Sequence, residues 1–128
     1  MPTIALEIIQ QAYIYLAEKD IPNYFSLMSP NVEFYQTEAL PWGGEYRGFD
    51  EIQVFFFKIF LLIDSSVEIS QYIQAGERTV AIGKTIGSAK LTGKKFICNL
   101  AHIWTVKEEK IVRLEVYIDT DSMNAALS

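Results

Sequence analysis

Apolar residues recur at helical spacing over the first half of the chain and at alternate positions over the second. Ile4, Ala5, Ile8, Ile9, Ala12, Tyr13 and Leu16 share one face of a helical repeat, which predicts an amphipathic helix from about Thr3 to Lys19. Asp20 offers an N-cap and Pro22 suits a first turn, so a short second helix follows with Ile21, Tyr24, Phe25 and Met28 on its apolar side. Ser29-Pro30-Asn31 ends that helix, Val32 to Gln36 reads as a short strand, and Pro41-Trp42-Gly43-Gly44-Glu45-Tyr46-Arg47-Gly48 as a loop.

A third helix is expected from about Phe49 to Ile63, with Asp50 and Glu51 at its positive N-terminal end. Ile52, Phe55, Phe56, Ile59, Phe60 and Ile63 form its main stripe, and Val54, Phe57, Leu61 and Leu62 spread hydrophobicity around it. A helix apolar nearly all round is buried on more than one side, against a sheet and against a further helix or a ligand. From Ser65 the period falls toward two, predicting strands near 66–75, 78–88, 94–106 and 110–119. Gly76-Glu77, Lys90 to Gly93 and Glu108-Glu109 supply the turns, and Asp119 caps a short terminal helix ending at Leu127. Three helices followed by a meander of long strands give an α+β domain over residues 1–128, an antiparallel sheet with helices on one face.

Helices on one side of a bent sheet enclose a cone. The second long strand alternates Thr79, Ala81, Gly83, Thr85 and Gly87 with Val80, Ile82, Lys84 and Ile86. The small face, set opposite Phe55, Phe56 and Phe60, either leaves room for a small molecule or just admits the aromatic rings. The last strand permits two registers. A two-residue turn at Glu108-Glu109 sets His102 opposite Glu115 as a His–Glu dyad. A shift of one residue turns Val112, Leu114, Val116 and Ile118 inward and sends Arg113, Glu115 and Tyr117 to the outer sheet face. Burial of the aliphatic face favours the second register, and the outer face then becomes a place for a second subunit.

Composition narrows the function classes. Half of the residues are hydrophobic and the net charge is −5, with no basic run, which argues against nucleic-acid binding. The longest apolar stretch, broken by Lys58 and closed by Asp64, is too short for a membrane span. The start lacks the basic flank of a signal peptide, and the lone Cys98 fits a reducing, cytoplasmic setting. With one histidine and one cysteine, zinc sites of the usual composition are excluded. Phosphate-binding glycine loops, a G-x-S-x-G nucleophile turn and acidic calcium loops are also missing from the sequence.

The one histidine, His102, shares a strand face with Phe96, Cys98, Leu100 and Trp104. There it is either a satisfied core residue or the polar centre of a pocket, and its near-neutral titration makes it the candidate acid/base or hydrogen-bond donor. Tyr13 is a candidate donor to a ligand oxygen. Gln36 shares a face with Phe34 as a neutral contact, and Trp42 is a lid or a plug. Phe55, Phe56, Phe60, Thr85, Leu100, Leu114, Val116 and Ile118 complete the expected wall. Cys98 reads as a small buried apolar residue.

The element order resembles the nuclear-transport-factor-2-like superfamily, and within it the SnoaL-like branch that includes polyketide cyclases. Local marks are Pro41 to Gly48, Leu91-Thr92-Gly93-Lys94, and Glu109-Lys110-Ile111 through Asp119. The resemblance implies a cystatin-like, cone-shaped curved antiparallel sheet wrapped around N-terminal helices, a pocket for a small hydrophobic molecule, frequent homodimers through the sheet, and chemistry without metal or organic cofactor. Steroid isomerases of the superfamily place an acid where His102 falls, a base near Gln36, and a tyrosine near Ala12 or Tyr13. The cyclases pair a strand histidine, which His102 resembles, with an aspartate where this chain has Val116. Epoxide hydrolases of the fold use an Arg and two Asp, at positions that here are Gly83, Thr85 and Val116. The hydrolase pattern is therefore absent, and the isomerase and cyclase patterns each lack a central group.

Overall fold

The computed structural model describes residues 2–128. Helix α1 spans Pro2–Ala17 and α2 spans Ile21–Ser26, where the Asp20 carboxylate accepts from the Asn23 N–H at 3.3 Å as the N-cap. Strand β1 (Met28–Gln36) and β2 (Gly44–Arg47) precede α3 (Gly48–Leu62). Long strands β3 (Ile63–Ala75), β4 (Arg78–Ala89), β5 (Lys95–Lys107) and β6 (Lys110–Ile118) follow, then α4 (Thr120–Leu127). The six strands form one curved sheet in the order β2-β1-β6-β5-β4-β3. All neighbours are antiparallel except β1 and β6, which run parallel.

Two segments differ from the expectation. Ser29-Pro30-Asn31 belongs to β1, in an irregular stretch between the pairs Met28–Ile111 and Glu33–Arg113, where a proline removes no ladder bond. Gly44 to Arg47, read as loop, forms the edge strand β2 because Tyr46 buries its ring against Phe55 and donates to the Trp42 carbonyl at 2.9 Å.

The curvature comes from β3 and β4. Ser70 is an extra residue between the pairs Ile69–Gly83 and Gln71–Ile82, and its hydroxyl donates to the Ile82 carbonyl at 3.1 Å. A Cβ at Gly83 would stand 1.9 Å from the Glu68 carbonyl oxygen, and one at Gly87 2.0 Å from that of Asp64. The two glycines let β3 lie closer to β4 than any side chain permits.

The Glu108-Glu109 turn settles the register of the last hairpin. Both residues have positive φ (52° and 61°), and Lys107 pairs with Lys110 across a two-residue turn. By itself that turn would bring Glu115 opposite His102. Val112 intervenes as a bulge, for Val106 pairs with Ile111 and Thr105 with Arg113. Beyond the bulge His102 faces Val116, and Glu115 points to the outer face with Arg113 and Tyr117. The bulge also exchanges one expected inward residue: Ile111 is fully buried, while Val112 is half-buried.

Helix α3 divides its apolar residues three ways. Ile52, Phe55 and Phe56 are buried, Phe56, Ile59 and Phe60 turn to the space inside the cone, and Val54, Phe57 and Leu61 remain outside, Phe57 being 62 % exposed. Beyond the sheet, α3 meets another helix, α2, through the ring pairs Phe25–Phe49 and Tyr24–Phe56, and its Phe56, Ile59 and Phe60 border the cavity.

Candidate functional site

The inner sheet face and the helices enclose a cavity of about 270 Å³. Its depth is aromatic and aliphatic: Phe34, Trp42, Phe55, Phe56, Leu100, Leu114, Val116 and Ile118 line it, with Trp104 and Thr85. Its mouth lies between the end of α1 (Leu16, Ala17, Lys19), the second half of α3 (Ile59, Phe60) and the start of β3 (Ser65, Ser66, Val67). Phe60 stands at this mouth, 47 % exposed, rather than deep in the wall. Of the residues expected around the site, Cys98 lies outside the cavity. It shares the inner face of β5, but α4 packs against β5 and covers that end of the strand, so Cys98 is sealed with no access to the cavity space. Burial, and secondarily the charge of Asp119, push its thiol pKa up.

Four strands bring a row of residues across the cone in register. Gln36 on β1 pairs with Val116 on β6, Val116 with His102 on β5, and His102 with Ala81 on β4. Gln36 and His102 thus flank Val116, two strand spacings or about 10 Å apart at the backbone. The small Ala81 beside His102 leaves the ring space on that side.

His102 is held by α1. The Tyr13 hydroxyl lies 2.6 Å from His102 Nδ1 and accepts from Trp104 Nε1–H at 2.9 Å. The indole nitrogen only donates, and His102 Nδ1 is the one acceptor within reach of the Tyr13 hydroxyl among the described residues, so the phenolic proton goes to Nδ1. That assigns the imidazole proton to Nε2, on a ring that lines the cavity. The rings reinforce the arrangement: Tyr13 stacks on His102 with 14° between planes and meets Trp104 edge-on. Ala12, the neighbouring candidate for the helical position, is instead fully buried in the core.

The electrostatics keep this site neutral. Burial lowers the His102 pKa from 6.5 to about 4, so the ring is uncharged at neutral pH. Burial raises the Tyr13 hydroxyl far above its ordinary value; the Trp104 hydrogen bond opposes this and the nearby Tyr72 adds to it. Gln36 is 1 % exposed, and its Nε2 is a buried donor without a partner. No carboxylate lines the cavity among the described residues. Nor do the described residues contain a group of three or more His, Cys, Asp or Glu that could hold a metal ion.

Sequence reasoning missed Tyr24 and the residues of the mouth. Tyr24 belongs to the apolar side of α2 and is buried against Phe56, yet it also lines the cavity. Its periodicity with Ile21 and Phe25 marked it as core and carried no sign of the adjoining space.

The SnoaL-like domain family matches residues 9–114. The chain belongs to that family. Solved structures share the fold over nearly the whole chain. A nuclear-transport-factor-2-like protein from Burkholderia thailandensis E264 is 27 % identical, with 97 % of each chain covered and a TM-score of 0.90. TerC, co-crystallised with polyporic acid, is 24 % identical over 97 % of this chain and 98 % of its own, with a TM-score of 0.90. A protein from Jannaschia Sp. CCS1 named as a SnoaL-like polyketide cyclase is 12 % identical, over 100 % of this chain and 94 % of its own, at a TM-score of 0.88. No curated protein matches the sequence.

Proposed function

We propose that this SnoaL-like chain binds a small hydrophobic carbonyl compound in the cone and promotes a cofactor-independent isomerisation or cyclisation, with His102 as the acid/base group. The observation that carries this reading is the pair of neutral polar groups flanking Val116: the His102 ring, fixed through Nδ1 by Tyr13, and the unpartnered Gln36 amide. A carbonyl oxygen between them would accept from both. As negative charge grows on that oxygen toward an enolate, the two hydrogen bonds strengthen, and neither donor needs to reorient. A neutral imidazole acts here chiefly as donor, because its low pKa makes it a weak base. The aromatic walls would hold flat rings, and TerC, of the same fold, was crystallised with the ring compound polyporic acid.

One observation favours a second reading, a non-catalytic binding protein: no carboxylate lines the cavity among the described residues to take a carbon-bound proton. Nitrogen NMR of the one imidazole, recorded with a panel of hydrophobic ketones and hydroxyquinones, tests both. The binding reading expects one compound to shift the His102 Nε2 signal and fails if none does. Conversion of that compound, abolished in His102→Gln, marks catalysis; binding without conversion leaves the second reading.

We also propose a homodimer through the outer sheet face and a cytoplasmic setting. Cross-strand pairs Val80–Ile103 and Ile82–Ala101, with Tyr117 beside Ala101, give that face an apolar centre. Arg113 with Glu33, Glu45 and Glu115 gives it a charged border. A monomer by sedimentation at micromolar concentration would overturn the dimer. No described helix is long and apolar enough to cross a membrane.

A further inference from the structure

The end of α1 is built against its residue type. Lys19 N–H donates to the Leu16 carbonyl at 3.0 Å and Asp20 N–H to the Tyr15 carbonyl at 2.9 Å, the paired bonds of a Schellman reversal. That reversal places one residue in the left-handed region, and the residue is Lys19, at φ 59°. Glycine or asparagine is the usual occupant, because a Cβ there crowds the following carbonyl. Glu108 and Glu109 carry the same cost in the β5–β6 turn, so it is the place of Lys19 at the cavity that bears on function.

Lys19 is also part of the cavity mouth, and it is the one formally charged residue among those lining the cavity. Its charge is not taken up nearby, since it forms no ion pair among the described residues. Of the acids adjacent in sequence, Glu18 is exposed, and Asp20 is engaged with the Asn23 backbone N–H and side-chain Nδ2. The mouth therefore carries one positive charge, that of Lys19, at an apolar opening, while the groups deeper in are neutral.

We propose that Lys19 recognises an anionic group at the mouth, so that the ligand is a hydrophobic organic acid whose apolar body enters the cone and whose carboxylate, sulfonate or ionised enol stays at the rim. This rests on the reading of the cavity as a binding site for hydrophobic carbonyl compounds and specifies their class.

Two fluorescent probes with one ring skeleton separate the contributions: 8-anilino-1-naphthalenesulfonate and neutral N-phenyl-1-naphthylamine, which lacks the sulfonate. The full chain is titrated with each, beside Lys19→Met, Lys19→Gly, Lys19→Arg and a cavity-filling Val116→Phe. The expected result is weaker sulfonate binding by about five-fold in Lys19→Met and Lys19→Gly, the upper end of one exposed charge contact. Binding of the neutral probe stays within about two-fold, Lys19→Arg keeps the sulfonate preference, and added salt erodes that preference in the wild type. Lys19→Gly should melt higher than the wild type, since it relieves the left-handed strain, so weaker binding there cannot be ascribed to unfolding. If sulfonate affinity is unchanged in Lys19→Met and Lys19→Gly while the neutral probe binds and Val116→Phe displaces it, the role of Lys19 is overturned and the cavity reading stands. Failure of both probes to bind, or binding that survives Val116→Phe, overturns both.

Discussion

Tyr13 and His102, 89 positions apart in sequence, meet at 2.6 Å, and that bond ties α1 to the centre of the sheet. Tyr13→Phe removes the hydroxyl and strands two partners, His102 Nδ1 and Trp104 Nε1–H. A buried polar group left without its partner costs about 1–3 kcal/mol. Urea unfolding should show a loss in that range, and an unchanged midpoint would mean that the hydroxyl bridge contributes nothing net.

His102 makes stability depend on pH in a defined window. Its folded pKa of about 4 lies below the 6.5 of a free imidazole, so between those values the unfolded chain binds a proton that the folded chain refuses. Stability present above pH 6.5 is therefore lost as the pH falls toward 4, by about 3 kcal/mol in full. Carboxylates such as Glu33, held low by Arg47 and Arg113, contribute to acid sensitivity as well, so the difference between wild type and His102→Gln is the informative quantity. The variant should lack the loss across this window; parallel curves would show that His102 titrates alike in both states.

Val116→Asp would place a carboxylate directly across from His102. The opposite charge favours imidazolium, so the His102 pKa should climb from about 4 back toward or beyond 6.5, as read by proton NMR. Burying the new carboxylate should also destabilise the fold. A histidine that remains neutral down to pH 5 in this variant would contradict the register.

Gly83 and Gly76 should respond differently to alanine. At Gly76 nothing lies within 4 Å of a new Cβ, and only the positive φ of 64° opposes it, a cost of about 1 kcal/mol. At Gly83 the Cβ would collide with backbone that cannot move without opening the β3–β4 pairing. Gly83→Ala should therefore melt lower than Gly76→Ala by more than the whole effect of the latter, and equal melting temperatures would refute the close approach.

Glu108 and Glu109 occupy positive-φ turn positions that favour asparagine and glycine. Replacement by Asn and Gly should stabilise the chain by about 1–2 kcal/mol in a denaturant titration, without altering the cavity.

The elements were legible where local pattern and tertiary environment agree. α1, α3 and the four long strands show their periods because each buries one continuous face. Ser29 to Asn31 and Gly44 to Arg47 were not legible as strand: proline and glycine are turn signals, and only pairing with neighbouring strands makes these segments extended. The inward aliphatic face of β6 could be weighed in advance because hydrophobicity alone favours it. How a two-residue turn coexists with that face was hidden, because Val112 continues the apolar alternation through the bulge. The contact between Tyr13 and His102 depends on how α1 lies over the sheet, which no local spacing encodes. Lys19 had one visible sign, a helix that ends without glycine or asparagine.

Val112 gives the last strand slack. Because it has no opposite number in β5, the hairpin contains one residue more than its pairing uses. A chain shortened by that residue would join the tight turn to the remaining strand with every later partner retained, His102 still facing Val116. Insertions and deletions elsewhere in β6 have no such reserve and must be absorbed here or rotate the wall of the cone. The tolerance of this fold to changes in length along its final strand is thus concentrated at one position, some distance from the chemistry it protects.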